Sequence, residues 1–378
     1  GAEIHVGPCV TWERYTPFKR SSVVDGSFWL PDLCAKVPHI GASSPGIGQA
    51  WTSGEELFAH PEIALQPFAS LEVLVTGEKL PKELELKLYS PYLTDLENGA
   101  KSITTVPGTP CAIGNLPPGN MNVSSRLIWD NDTWVSGFPL ATNEILQKPL
   151  DPFGERLLSR TIEANVLLSS DNTSTLTVKM ETASSSIKGN ITVNGNTASG
   201  YCRVQALVRE SSGMVIAEAN SGISELGAFD LGPLPTGFVL LSAVTILNGR
   251  DLNSYVLFDL PVNSVIEKTL NLVQGEGKII GRTVGEARSG NLLLWLIPTG
   301  IDSFWRDLPS QCALDDILTA VGRPTFVKNR QFSFKNVQPG EYRVEILTDN
   351  GQSPLSNIRE VSVTVPENGN ATVDFPLQ

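Results

Sequence analysis

The 378-residue sequence is poor in the residues that do chemistry: it holds three histidines, five cysteines and three methionines. His5, His39 and His60 all lie in the first 60 residues. No Gly-x-Ser-x-Gly elbow stands near them, so a serine hydrolase lacks its parts. The cysteines, at 9, 34, 111, 202 and 312, form no CxxC pair and share no metal spacing with a histidine. They read as small buried hydrophobes, and Cys9–Cys34 is the one disulfide to consider, because both fall in the first repeat. No basic stripe or run occurs and the formal net charge is −12, which argues against nucleic acid. Long apolar runs are absent too. Nothing approaches the roughly 18 consecutive apolar residues that span a bilayer, so no membrane insertion is expected. The chain opens at Gly1 with neither an initiator Met nor a signal-peptide pattern, as expected of a mature or excised form.

What the sequence does hold is enough apolar residues, 41%, to bury cores. It is also repetitive. One phrase reads Phe28-Trp29-Leu30-Pro31-Asp32-Leu33 and then Cys111-Ala112-Ile113-Gly114-Asn115-Leu116-Pro117-Pro118-Gly119. It returns as Phe229-Asp230-Leu231-Gly232-Pro233-Leu234-Pro235-Thr236-Gly237 and as Phe332-Ser333-Phe334-Lys335-Asn336-Val337-Gln338-Pro339-Gly340. Its first and third positions alternate inward as in a strand, the later Leu or Val plugs a core, and Pro-x-Gly turns the chain. The first copy has Cys34-Ala35-Lys36 where Pro-x-Gly should stand. A second phrase pairs alternating strands across a polar turn: Thr161–Leu167 with Leu176–Met180, and Asn357–Val363 with Ala371–Phe375. A third opens the later repeats as Leu71-Glu72-Val73, Ile187-Lys188-Gly189 and Ile279-Ile280-Gly281. From Leu84 to Cys111 and from Cys202 to Phe229 the spacing is the same.

These signals divide the chain at 1–68, 69–184, 185–275 and 276–378, with links too short to flex freely. The last repeat carries a longer insertion near 300–325, where Ala313–Leu318 suits one short helix. Asn-Gly pairs at 98, 194, 248, 350 and 368 mark hairpins. Gly275-Glu276-Gly277-Lys278 has the wrong spacing for a phosphate loop and reads as a turn between repeats.

The opening Ile-x-Gly-x-Ile strand and the Phe-x-Phe-x-x-Val-x-Pro-Gly-x-Tyr-x-Val core resemble the carboxypeptidase regulatory-like or prealbumin-like sandwich, with collagen-adhesin B-type repeats close by. The resemblance covers the second to fourth repeats and is best in 276–378. It implies an all-β chain of tandem Ig-like/prealbumin-like antiparallel β-sandwich domains arranged as an elongated rod. Such modules serve as stalks, spacers, adhesin arms or fibre subunits, and some carry carbohydrate-binding surfaces.

Counting back from Phe28 by the shared spacing reaches Ile4-His5-Val6 as the second strand of the first repeat and leaves its opening strand missing. Three readings fit: a cut from a longer array, a strand supplied by a neighbouring molecule, or a first repeat with its own strand order. On the second reading Ile4 and Val6 are assembly contacts. Asp130 and Asp132 offer oxygens to calcium but lack further ligands, as do Asp315 and Asp316; no metal and no cofactor is expected. Trp12, Trp29, Trp51, Trp134, Trp295 and Trp305 invite sugar stacking. Trp29 and Trp295 differ in parity from their apolar neighbours and should face outward, so Trp29, Trp295 and Trp305 are read as assembly or ligand contacts. The expected role is an extracellular, non-enzymatic structural protein, secreted or at the cell surface, that pairs with copies of itself or neighbouring repeats. The alternative is an adhesin module for a glycan or surface protein, or a non-catalytic region of a larger secreted protein. Five Asn-x-Ser/Thr sequons carry little weight, since Ser and Thr are frequent.

Overall fold

The computed structural model describes residues 2–6, 18–22, 27–28, 40–52, 54–78, 80, 82–89, 100–130, 133–135, 158–198, 202–224, 226–247, 250–285, 292–305, 320–346, 359–367 and 369–377. They form two compact units: Gly1–Thr76 with Leu80–Ser125 and Ala164–Val178, and Gly77–Lys79 with Arg126–Glu163 and Lys179–Gln378. The chain is all-β, built from sandwiched sheets.

In the first unit, β1 (Glu3–Val6), β2 (Phe18–Ser21), β3 (Ile40–Ser44) and β4 (Gly48–Thr52) form a sheet in the order β2-β1-β3-β4. A short helix, Gly54–Ala59, follows and brings Leu57 against Ile4, Ile40 and Ala42. Next come β5 (Ala69–Thr76), β6 (Leu84–Tyr89), β7 (Ala100–Thr105), β8 (Cys111–Leu116) and β9 (Gly119–Asp130), on which β10 (Thr133–Val135) folds back. β11 (Leu158–Leu168) and β12 (Thr173–Lys179) complete this stretch. β5 lies between β12 and β8, whereas β6 lies between β7 and β9. β5 and β6 alternate buried and half-exposed residues along their lengths, the pattern of strands with one face on a core.

The second unit repeats this plan twice. β13 (Ala183–Val193), β14 (Asn196–Thr197), β15 (Cys202–Arg209), β16 (Val215–Gly222), β17 (Ala228–Pro235), β18 (Gly237–Leu247), β19 (Arg250–Leu260) and β20 (Val265–Leu272) make one sandwich. Its first sheet sets β13 between β17 and β20, its second runs β19-β18-β15-β16, and both contribute to one core. β21 (Gly277–Val284), β22 (Leu293–Pro298), β23 (Arg323–Phe326), β24 (Gln331–Val337), β25 (Gly340–Ile346), β26 (Arg359–Val365) and β27 (Asn370–Pro376) make the other, with β24-β21-β27 against β23-β22-β25-β26 around Phe332, Phe334 and Phe375.

The repeated phrases have physical meanings here. The opening Ile-x-Gly strand stands opposite the Phe-x-Phe or Phe-x-Leu strand, pairing Gly189 with Phe229 and Gly281 with Phe332. The same ladder position in the first unit pairs Val73 with Cys111. A large ring sits opposite no side chain, and a middling pair substitutes for that combination. Each ladder also shifts register: between Ala69 and Leu71 in the first, between Ala183 and Ser185 and again between Ser185 and Ile187 in the second, and between Gly277 and Lys278 in the third. Asn115 and Asn336, both with φ near +57°, stand at corresponding places in their strands, where asparagine tolerates the left-handed region.

Three expectations are corrected. The strands around the polar turns do not pair as hairpins: β26 belongs to one sheet and β27 to the other. β27 runs parallel to β21, as β20 does to β13, because a strand that crosses to the opposite sheet arrives beside the opening strand in the same direction. Ser70 N–H donating to Asn172 O and Thr76 Oγ1 to Val178 O advance together along β5 and β12 in the same sense. Finally, Ile4-His5-Val6 is a strand, but an interior one. β2 and β3 occupy both its edges and Ile4 is buried, so β1 presents no open edge to a neighbour's strand. Of the Asn-Gly pairs, Asn194-Gly195 makes a two-residue turn at φ +51° and +82°; those at 98, 248 and 350 lie outside the described residues, as do Asn368 of the fifth pair and the helix expected over Ala313–Leu318.

Candidate assembly surface

β15 and β18 are apolar on both faces. Val204, Ala206 and Val208 face the core of their own sandwich; Leu207, Leu240 and Ile216 face away from it, yet all three are buried. What covers them comes from the following sandwich: Ile297 at the end of β22, Ile301, Phe304 from the short helix Asp302–Trp305, and Ala320 and Val321. Phe238 and Phe304 stack at a tilt of 32° with ring centroids 5.9 Å apart. A strand buried on both faces must lose its alternation, which is why 238–241 and 294–297 read as unbroken apolar runs.

Polar contacts fix the register of this joint. Arg209 Nη1 donates to Phe304 O at 3.3 Å and Asn253 Nδ2 to Val321 O at 3.4 Å. Gln338 Nε2 donates to Val273 O at 2.8 Å and Asn253 O at 3.3 Å, so one amide spans the connecting segment and the sandwich before it. The segment is held from the other side by Asn194, whose N–H donates to Leu272 O and whose Oδ1 accepts from Gln274 N–H. Gly275 lies against the backbone of Val337 and Gln338 so closely that a Cβ would overlap it. Tyr255 reaches Gly300, where a Cβ would lie 2.8 Å from the phenol oxygen. Burial, then the nearby Asp302 charge, pushes the Tyr255 phenol up. Burial does the same for Tyr342, with Tyr255 adding to it. A cavity of about 110 Å3 remains among Asn253, Tyr255, Arg323, Gln338 and Tyr342, room for a few waters.

The helix carrying Phe304 is anchored by charge. Arg343, 3% exposed, reaches Asp302 at 2.9 Å, Glu345 at 3.4 Å and Glu360 at 3.1 Å. A second buried pair lies at the start of this unit. Residues Leu158–Ile162 of β11 pair antiparallel with β16, and Arg160 Nε meets Glu210 Oε1 at 3.0 Å. Arg160 also donates to Glu181 O, and Glu210 accepts the Glu181 N–H. Desolvation lifts the Glu210 carboxyl to about 7 against the opposing pull of Arg160.

Of the residues singled out in sequence, Trp295 is half-buried at the margin of the joint cluster. Trp305 ends the Asp302–Trp305 helix, Val6 pairs in β1, and Asp130 ends β9; the side chains of these three lie outside the described residues. Trp29, Asp132, Cys9 and Cys34 also lie outside them. Cys111 and Cys202 are free thiols, and burial pushes Cys202 up to about 12. Among the described residues no helix is long and apolar enough to cross a membrane, and no three His, Cys, Asp or Glu side chains cluster as metal ligands would. Sequence reasoning missed Leu207, Leu240, Ile297 and Phe304; the signal that could have found Leu240 and Ile297 was the loss of alternation in 238–241 and 294–297.

No family model and no curated protein matches the sequence. Among solved structures, the Bacillus anthracis TIE protein is similar at 14% identity over 90% of this chain, with a TM-score of 0.21. The chain spans 57% of that protein's length. A streptococcal ancillary pilin is similar at 12% identity over 82% of this chain and 99% of its own, TM-score 0.22. The minor pilin GBS52 of Streptococcus agalactiae is similar at 10% identity over 51% and 95%, TM-score 0.24. All three TM-scores lie well below 0.5, and neither fold nor residue role is carried across from these structures.

Proposed function

We propose that this chain is a structural subunit of an extracellular surface assembly, a stalk or filament, made of four tandem sandwiches at 1–68, 69–184, 185–275 and 276–378. The observation that carries the reading is the joint around Leu240 and Phe304: consecutive sandwiches share an apolar interface and a connecting segment clamped by Asn194 and Gln338. A module that only tethers a binding site has no need of such a joint, whereas a subunit that transmits load or keeps a repeat distance does. The acidic net charge of −12 keeps such a chain soluble. Head-to-tail association of copies, by strand addition or by end-to-end packing, belongs to the same reading.

Negative-stain electron microscopy of the material as isolated, without refolding, tests it. Stiff particles or fibres with a regular axial repeat are expected. Beads that bend independently of one another would refute the stiff subunit, and a glycan-array hit lost on Trp295→Ala would favour the adhesin alternative.

A further inference from the structure

Three of the sandwiches have a lateral edge in the strand that follows and pairs with β6, β15 and β22: β7, β16 and β23. The three edges differ at one ladder position. In the β6–β7 pair Lys101 stands opposite buried Leu88, in β22–β23 Arg323 stands opposite buried Leu296, and in β15–β16 Ala219 stands opposite buried Ala206. The two basic side chains do the same thing. Lys101 Nζ donates to Gly114 O at 3.4 Å, and Arg323 Nη1 donates to Asn336 O at 2.9 Å and Lys335 O at 3.5 Å. Gly114 and Lys335 are equivalent, each three residues after the start of its repeated phrase, at Cys111 and Phe332. Each cation therefore crosses the open flank of its sandwich to carbonyls of the opposite sheet.

The edge without a cation is the one that has taken a strand. Leu158–Ile162 lies antiparallel along β16, with Leu158 directly opposite Ala219. Among the described residues, β7 and β23 end their sheets with nothing along their outer sides. Charged side chains, lysine above all, are a known means of closing a sheet edge to further pairing. We infer that Lys101 and Arg323 are edge guards. Each closes its sandwich against strand addition, and an edge relieved of its cation takes the Leu158–Ile162 segment of a second copy as β16 takes that of its own chain. This does not depend on the structural role proposed above, since a filament held by other surfaces would leave both guards in place.

The test uses the full chain and a fluorescent synthetic peptide of the Leu158–Leu168 sequence. Wild type should not bind it. A Lys101→Ala/Arg323→Ala variant should bind it saturably, with new amide-exchange protection confined to 100–105 or 323–326. A Lys101→Arg variant, still able to reach Gly114, should behave as wild type. Circular dichroism and the unfolding midpoint of the double variant report whether it is folded. A folded double variant that neither captures the peptide nor gains protection overturns the inference, and so does wild-type capture at either edge. If the double variant fails to fold, Lys101→Met decides: it keeps the stem without the donor, and failure to capture peptide at 100–105 refutes the guard.

Discussion

Gly281 and Phe332 stand opposite each other in the β21–β24 ladder, and a Cβ on the glycine would overlap the phenylalanine ring. Gly189 and Phe229 repeat the relationship, with the ring carbon Cζ 2.9 Å from where the Cβ would be. The aromatic ring thus lies over bare backbone and reaches the core, where it is 4% exposed in the case of Phe332. Gly281→Val should cost about 1–3 kcal/mol by overpacking. Gly281→Val combined with Phe332→Cys, which imitates the Val73–Cys111 pair, should recover part of that loss as a coupling of about 0.5–3 kcal/mol. Urea unfolding of the four variants of the cycle measures it, and strict additivity would show that the pair does not act as a unit.

That pairing explains which parts of the fold could be read in advance. The phrases around Phe229 and Phe332 are visible because one strand face must be apolar every second residue, and a proline followed by glycine at one or two residues comes next because the chain must turn. The parallel placement of β20 and β27 was not visible, since alternation states which face is buried and not which sheet a strand joins. Alternation also says nothing of Asn115 and Asn336, each of which takes the left-handed conformation where its strand is irregular. The joint left a different trace, an absence of alternation in 238–241 and 294–297, which period-two reasoning treats as noise. Trp295 was legible as outward-facing by parity; Phe304, inside an insertion without periodicity, was not.

Phe304→Ala should remove a buried ring from the joint without touching either sandwich core. Deleting a buried aromatic costs about 3–5 kcal/mol. Because the loss falls on an interface, its signature is loss of cooperativity as well as lower stability. Calorimetry should show the transition of 276–378 separating from that of 185–275, and limited proteolysis should open the segment around Val273–Glu276. A variant that melts as wild type does, with the segment still protected, would show that the sandwiches do not depend on this contact.

Arg343 meets Asp302, Glu345 and Glu360 together. Glu345 is fully buried, so Arg343→Met leaves a carboxylate in the interior without that cation. Removing one member of a buried pair costs about 3–5 kcal/mol. Changing Glu345 to Gln in the same chain should restore a large part of the loss, because the buried carboxylate that had faced Arg343 is then neutral. Urea midpoints of the single and double variants decide between a charge that must be matched and a side chain that merely fills space, for which the second change would bring no recovery.

Glu210 gives stability a pH dependence whose sign is unusual for an ion-paired acid. Its folded carboxyl titrates at about 7, above the ordinary 4.5, because loss of solvent outweighs the attraction of Arg160. Between these two values the folded chain holds a proton that the unfolded chain has released. Stability from this group is therefore fully present below about pH 4.5 and declines as pH rises towards 7, after which it is level. The total change is roughly 3 kcal/mol at 1.36 kcal/mol per pH unit. The groups that face the carboxylate are Arg160 from β11 and the Glu181 backbone, with Glu181 itself drawn towards Lys179 and Ser211. Glu210→Gln keeps the acceptor for the Glu181 N–H and removes the titration. Unfolding free energies measured at about pH 5 and about pH 8 should differ less in this variant than in wild type, by up to the 3 kcal/mol above. Equal pH slopes in the two proteins would mean that Arg160 holds Glu210 ionised throughout, and the pair would then act as a permanent clasp between β11 and the β15–β16 turn.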